Sequence, residues 1–156
     1  LLVINSERDF PSMLGSKDCM HRKWKNCPFA WQGRYKGHLK GATIILEVVA
    51  SQDLWIWHSF FGMVGSHNDI NVLQRSPVFA RLAEGHSPED NFEINGHHYN
   101  KGYYLADGIY PQWSTLVKTI PNPQGEKRQI FAQMQESARK DVERAFGVLQ
   151  SRCGII

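Results

Sequence analysis

Two rhythms of apolar and polar residues run along this chain. Thr43-Ile-Ile-Leu-Glu-Val-Val-Ala50 is β-branched and almost wholly apolar, the pattern of a strand buried on both faces. Gln52-Asp53 reads as a turn, and Leu54–Phe61, rich in aromatics, returns as the second strand of the same hairpin, ended by Gly62 and Gly65. Met13–Met20 predicts a shorter strand with Asp18 near its end, and Gly102–Asp107 a third core strand closed by Gly108. The other rhythm is helical. Phe131, Met134, Ala138, Val142, Ala145 and Leu149 are spaced 3, 4, 4, 3 and 4 apart, one apolar face of a long amphipathic helix. Short helices are expected over His67–Ser76, capped by Ser66 or Asn68, over Pro77–Gly85, and over Gln112–Thr119 behind Pro111. Residues 1–12 read as loop, 21–41 as loop or hairpin, and 86–101 as a surface loop with a small hairpin. Strands alternating with helices make the class α/β.

Composition narrows the picture. A chain of 156 residues with 42% hydrophobic and 21% charged residues suits one folded domain, not a disordered tail. Three cysteines cannot all pair internally, which favours free thiols in a cytosolic or nuclear setting. No apolar run approaches the roughly 18 residues of a membrane span, and no signal-peptide pattern is present. The chain opens on Leu1 and stops at Ile156 just after a helical pattern, so it reads as a fragment cut at both ends.

Three acids stand out by position. Asp18 and Asp107 fall near strand ends, where α/β folds place their sites. Glu143 lies beside Val142 and three residues before Phe146, at the edge of the long helix's buried face. Two carboxylates about 4 Å apart repel by roughly 4 kcal/mol at an effective dielectric of about 20, so three together need a cation or a raised pKa. All-oxygen ligands favour Mg²⁺ or Mn²⁺, and paired ions of that kind cleave phosphodiesters. Taken singly, each acid also fits a turn, cap or helix-surface role.

Four separated blocks carry a family resemblance: GSKDCMHRKWKNCP (15–28), the long block 41–85, INGHHYNKGYYLADGIYPQWSTLVKTI (94–120) and ARKDVERAFGVLQSR (138–152). Together they resemble the catalytic domain of plant PIF/Harbinger DDE transposases and their domesticated nuclease-like relatives. The resemblance implies an RNase H-like (retroviral integrase-like) mixed sheet flanked by helices, with acids on the first strand, the fourth strand and a late helix. The family's three catalytic acids fall on Asp18, Asp107 and Glu143, with Asp69 as a further metal contact or a helix N-terminal acid. It implies divalent-metal-dependent hydrolysis and strand transfer of DNA, a Mg²⁺ or Mn²⁺ cofactor, transposon-end or target DNA as partner, a Myb-like DNA-binding partner protein, and a nuclear location. The family's N-terminal DNA-binding region is not in this sequence. The chain departs from the family at Arg22-Lys23, where an aromatic and an acid are usual, and at Cys153, where an aromatic is usual. The alternative reading is a catalytically silent, domesticated domain that binds chromatin or protein.

Arg22, Lys23, Trp24, Lys25, Arg34, Tyr35, Lys36, His38 and Lys40 form the most basic stretch, with aromatics interleaved. Its basic side chains suit phosphates and its rings suit unpaired bases; Arg22, Lys23, Lys25, Arg34 and Lys36 are the expected DNA contacts. The bland reading is a solvated basic loop. Cys19, His21, Cys27 and His38 match no standard zinc spacing, and His97-His98 reads as solvated loop. Glu47, inside an apolar strand, is costly unless paired, whether with a loop arginine or at a sheet edge.

Overall fold

The computed structural model describes residues 2–37 and 40–153. In chain order the elements are α1 (Leu2–Glu7), β1 (Met13–Lys23), α2 (Phe29–Tyr35), β2 (Thr43–Ala50), β3 (Ile56–Val64), α3 (Asp69–Arg75), α4 (Pro77–Ala83), β4 (Glu89–Ile94), β5 (His97–Lys101), β6 (Tyr103–Ala106), β7 (Leu116–Lys118) and α5 (Glu126–Arg152). Five strands form one mixed sheet in the order β3-β2-β1-β6-β7, and β4-β5 form a separate hairpin. β1, β2 and β3 are antiparallel neighbours; β6 lies parallel to β1, and β7 parallel to β6.

Side chains alternate across this sheet and bury against different helices. On one face Leu46, Val48 and Ala50 of β2 pack on Val142, Ala145 and Phe146 of α5, while Leu105 of β6 meets Ala138. On the other face Val49, Tyr104 and Ala106 pack on Leu73, Phe79 and Leu82 of α3 and α4. The strand in 43–50, its hairpin partner and the α5 face therefore stand as expected, and the expected cap proves to be Asn68, whose side chain accepts from the Asn71 amide.

Four expectations need correcting. Residues 1–12 contain α1, too short to persist alone; it is held by Asn5, which donates to the Met13 carbonyl at 2.7 Å, and by an Arg8–Asp141 ion pair at 2.6 Å. The 21–41 region is not all loop: backbone pairing carries β1 on to Lys23, opposite Thr43, and α2 follows. Gly62 lies inside β3, which runs on to Val64. Lastly, the helix expected after Pro111 is absent. Thr115, Val117 and Thr119 are β-branched, and the segment instead adds β7 to the edge of β6.

Candidate functional site

β1 is longer than its partner β6, and this places the acids. Ser16 pairs with Leu105 in the parallel register, so continuing two residues along each strand brings Asp18 level with Asp107, one residue past the end of β6. Ser16 hydroxyl donates to the Ala138 carbonyl at 2.8 Å, and Met20 packs against the α5 cluster, so the even-numbered side chains of β1 face α5. Asp18 lies between them and shares that face. Leu105 also meets α5, and Asp107 follows two residues later, outside the strand. Glu143 approaches from α5 itself, with 49% of its side chain exposed.

Arg139, one turn before Glu143, stands between two of these acids. Its guanidinium lies 3.8 Å from Asp18 Oδ2 and 3.6 Å from Glu143 Oε1. Burial raises the Asp18 pKa, the Cys19 amide and Arg139 pull it down, and the charge of Asp69 pushes it up again. Asp107 is exposed, and its Oδ1 accepts from the Gly108 amide at 2.6 Å. Asp69 opens α3 and lies 3.1 Å from His21 Nε2, on an odd-numbered residue of β1. Among the described residues, no three His, Cys, Asp or Glu side chains converge closely enough to share a metal ion. The structure thus joins Asp18 to Glu143 through a protein cation, sets Asp107 at the neighbouring strand end, and pairs Asp69 with a histidine.

Sequence reasoning missed the groups that hold this arrangement. Gln135, fully buried on the α5 face, donates to the carbonyls of Ala106 at 3.2 Å and Val117 at 3.3 Å, tying the helix to the strand end that precedes Asp107. Tyr110 anchors the loop after Asp107: its ring is buried, its hydroxyl donates to Cys19 Sγ at 3.4 Å, and Lys118 Nζ donates to its carbonyl at 2.9 Å. A glutamine beside the apolar stripe of the helix was the one signal available for the first of these.

The opposite face of the sheet carries a second charged group. Lys17 and Glu47 are both 0% exposed, with Nζ 3.2 Å from Oε2, close enough for an ion pair though not aligned as a hydrogen bond. Lys17 Nζ also lies 3.7 Å from the centre of the Tyr110 ring. His58 Nε2 lies 3.2 Å from Glu47 Oε1 and 3.0 Å from Ser76 Oγ. Glu47 is thus paired across the strands, with a lysine and a histidine rather than a loop arginine. The three cysteines are free, and burial pushes the Cys19 thiol up to about 12. His38 of the paper zinc set lies outside the described residues.

A family model described as plant transposon protein matches residues 1–156. The chain belongs to that family. No curated protein and no solved structure matches it.

Proposed function

We propose that this plant transposon protein is the catalytic domain of a DDE-type nuclease of the PIF/Harbinger kind, cutting and joining DNA phosphodiesters. The observation that carries the reading is the parallel β1–β6 register, which leads to Asp18 on β1 and to Asp107 just past β6, together with the Arg139 guanidinium that links Asp18 to Glu143 on α5. The sheet order, three antiparallel strands followed by two parallel ones, supports an RNase H-like fold. In chain order, β6 is the fourth strand of that sheet, so the acids sit on the first strand, just past the fourth, and on a late helix.

The donor set suits Mg²⁺ or Mn²⁺. It is all carboxylate, and it already gathers a positive group, the Arg139 guanidinium, between Asp18 and Glu143. Asp18 and Asp107 would hold the metal with Glu143 completing the set, and Asp69 is a further candidate. Bound there, the metal would supply charge neutralisation at phosphorus and an activated oxygen nucleophile. The chain's own part is to aim that nucleophile. Glu143, half in solvent, orients a water or a 3′-hydroxyl for in-line attack, while Gln135 and Tyr110 keep Asp107 at its strand end. The nucleophile gives up its proton to solvent as the new P–O bond forms and the P–O3′ bond breaks, and the departing 3′ oxygen takes a proton from solvent. Nuclear location and a Myb-like partner protein that brings the DNA belong to the same proposal.

A second reading is a silent interaction module, favoured by the one observation that Arg139 holds the space between two acids that do not converge with the third. Cleavage of supercoiled and terminal-repeat DNA with Mg²⁺ or Mn²⁺ separates the two. The nuclease reading expects Asp18→Asn, Asp107→Asn and Glu143→Gln each to lower the rate by at least about a hundred-fold, some 3 kcal/mol of barrier. Activity that persists in Asp107→Asn would overturn the three-acid site, and no activity in a folded parent supplied with either metal would give the chain to the silent reading.

A further inference from the structure

β1 and β2 are antiparallel neighbours that a two- to five-residue turn would join, yet 19 residues, Trp24–Ala42, intervene. Long excursions of this kind inside a compact sheet usually serve a function. The excursion is pinned at its neck: the Trp24 amide donates to the Ala42 carbonyl at 2.9 Å, Lys36 bridges to Ala42, and Gly37 and Gly65 close around the Thr43 side chain with no room for a Cβ. Its helix α2 buries none of its own residues. Instead it shows aromatic faces to solvent, with Phe29 90% and Trp31 52% exposed. Trp24, Trp31 and Tyr35 form one ring cluster, with centroids 5.1 to 6.4 Å apart.

Charge says what covers these rings. Residues 19–46 hold six of the chain's 18 Lys and Arg and none of its 15 acids, so this stretch carries +6 while the rest of the chain, 12 basic against 15 acidic, carries −3. Lys23, Lys25, Arg34 and Lys36 are exposed, and among the described residues no carboxylate pairs with them. A shallow cleft of about 230 Å³, lined by Lys23, Trp24, Lys25, Cys27, Gln32 and Lys40, opens beside the rings.

We propose that this excursion is a binding site for unpaired DNA, in which bases stack on Phe29 and the Trp24–Trp31–Tyr35 cluster while the lysines and Arg34 neutralise the flanking phosphates. Rings interleaved with unpaired cations are the equipment of a single-strand binder; a duplex keeps its base faces stacked and would use only the cations. The inference rests on the nuclease reading for its choice of DNA, and it extends that reading in space. Lys23 lies five residues beyond Asp18 on β1, about 17 Å at about 3.4 Å per residue. That is roughly five base steps along a strand at about 3.4 Å each. The excursion would thus hold a frayed or unpaired segment on the same DNA end whose phosphodiester meets the acids.

The test is fluorescence anisotropy of a labelled single-stranded oligonucleotide and of its blunt duplex, with the full chain in EDTA. The parent should bind the single strand more tightly. Phe29→Ala and Trp31→Ala should each weaken single-strand binding about ten-fold and leave duplex binding unchanged. Lys25→Gln should weaken both and flatten the single-strand dependence of log K on log salt by about 0.7. Because both rings are exposed, unchanged thermal unfolding verifies that the variants fold. Equal binding of both DNA forms with no effect of either aromatic substitution would overturn the proposal. So would an absence of binding, or a concentration-dependent dimer that Trp31→Ala dissolves, which would assign the rings to protein contact. With no divalent metal present, the result is independent of cleavage: a catalytically silent chain can still pass, and an active nuclease can still fail.

Discussion

Lys17 and Asp18 are chain neighbours on β1, yet they enter opposite environments. Lys17 turns to the face covered by α3 and α4, where its ammonium is sealed between Glu47 and the Tyr110 ring. Asp18 turns to the α5 face, where its carboxylate and that of Glu143 share Arg139 at longer range, with solvent at hand. The first pair is closer, dry and tied into His58 and Ser76; the second is looser and reachable. A buried pair locks the central strands to the helices behind them, because neither charge can be abandoned. A looser pair can exchange its cation. The sheet thus separates structural charge from candidate functional charge by nothing more than the two-residue alternation of a strand.

Removing one partner from the sealed pair is the sharpest way to break that contrast. Glu47→Ala leaves Lys17 buried without its carboxylate and should cost about 3–5 kcal/mol, lowering Tm by roughly 10 °C or more in a chain of this size. Lys17→Met combined with Glu47→Leu should restore most of the loss. Thermal unfolding of the two variants measures both; a Glu47→Ala cost no larger than that of a surface pair would erase the distinction between the faces. Next in size is Arg8→Ala. Asp141 is almost fully buried and also contacts Arg144, so loss of Arg8 should cost about 1.5 kcal/mol in urea unfolding. Part of that loss is the undocking of α1, which should appear as faster amide exchange at Asn5–Phe10.

How legible these features are depends on where their causes lie. The strand at 43–50 and the apolar stripe of α5 declare themselves because side-chain burial follows a local period. The excursion's basic and aromatic content was equally open to view, but α2 was not, since its seven residues bury nothing and leave no periodic trace. β7 was hidden because each residue of Leu116–Lys118 pairs with one twelve residues upstream, a relation that side-chain periodicity does not record. Among the acids, position along the elements drew attention to Asp18, Asp107 and Glu143, and only the family resemblance made them a set. That Arg139 lies between two of them was not readable, although the i, i+4 spacing to Glu143 gave half of it. The parallel β1–β6 register, which ends with Ser16 opposite Leu105 two residues short of Asp18 and Asp107, is a purely tertiary fact.

Arg139→Ala sharpens the comparison from the looser side. The pairs it breaks are long and partly solvated, so stability should change by less than about 1 kcal/mol. Its removal leaves two carboxylates without their guanidinium, and the variant should take up Mn²⁺ more tightly than the parent in a calorimetric titration. Unchanged or weaker Mn²⁺ binding would mean that Arg139 supports the acids in some other way than by standing in for a cation.

Asp18→Asn should give the smallest stability effect and the most diagnostic sign. Burial raises the Asp18 pKa above its unfolded value of 3.8, so between 3.8 and the folded value the native state holds more protons than the unfolded chain. Stability therefore falls as pH rises through that window, and at neutral pH the ionised carboxylate is a net cost to the fold. An asparagine keeps an oxygen for the Cys19 amide and carries no charge. Its Tm should equal the parent's below the window, rise above it as pH increases, and level off by neutral pH, while metal-dependent cleavage is lost. A carboxylate kept ionised against its own burial is what a cation site needs before its cation arrives. A variant less stable than the parent at pH 7 would show instead that the contact with Arg139 outweighs burial, and would move Asp18 to the structural side of the strand.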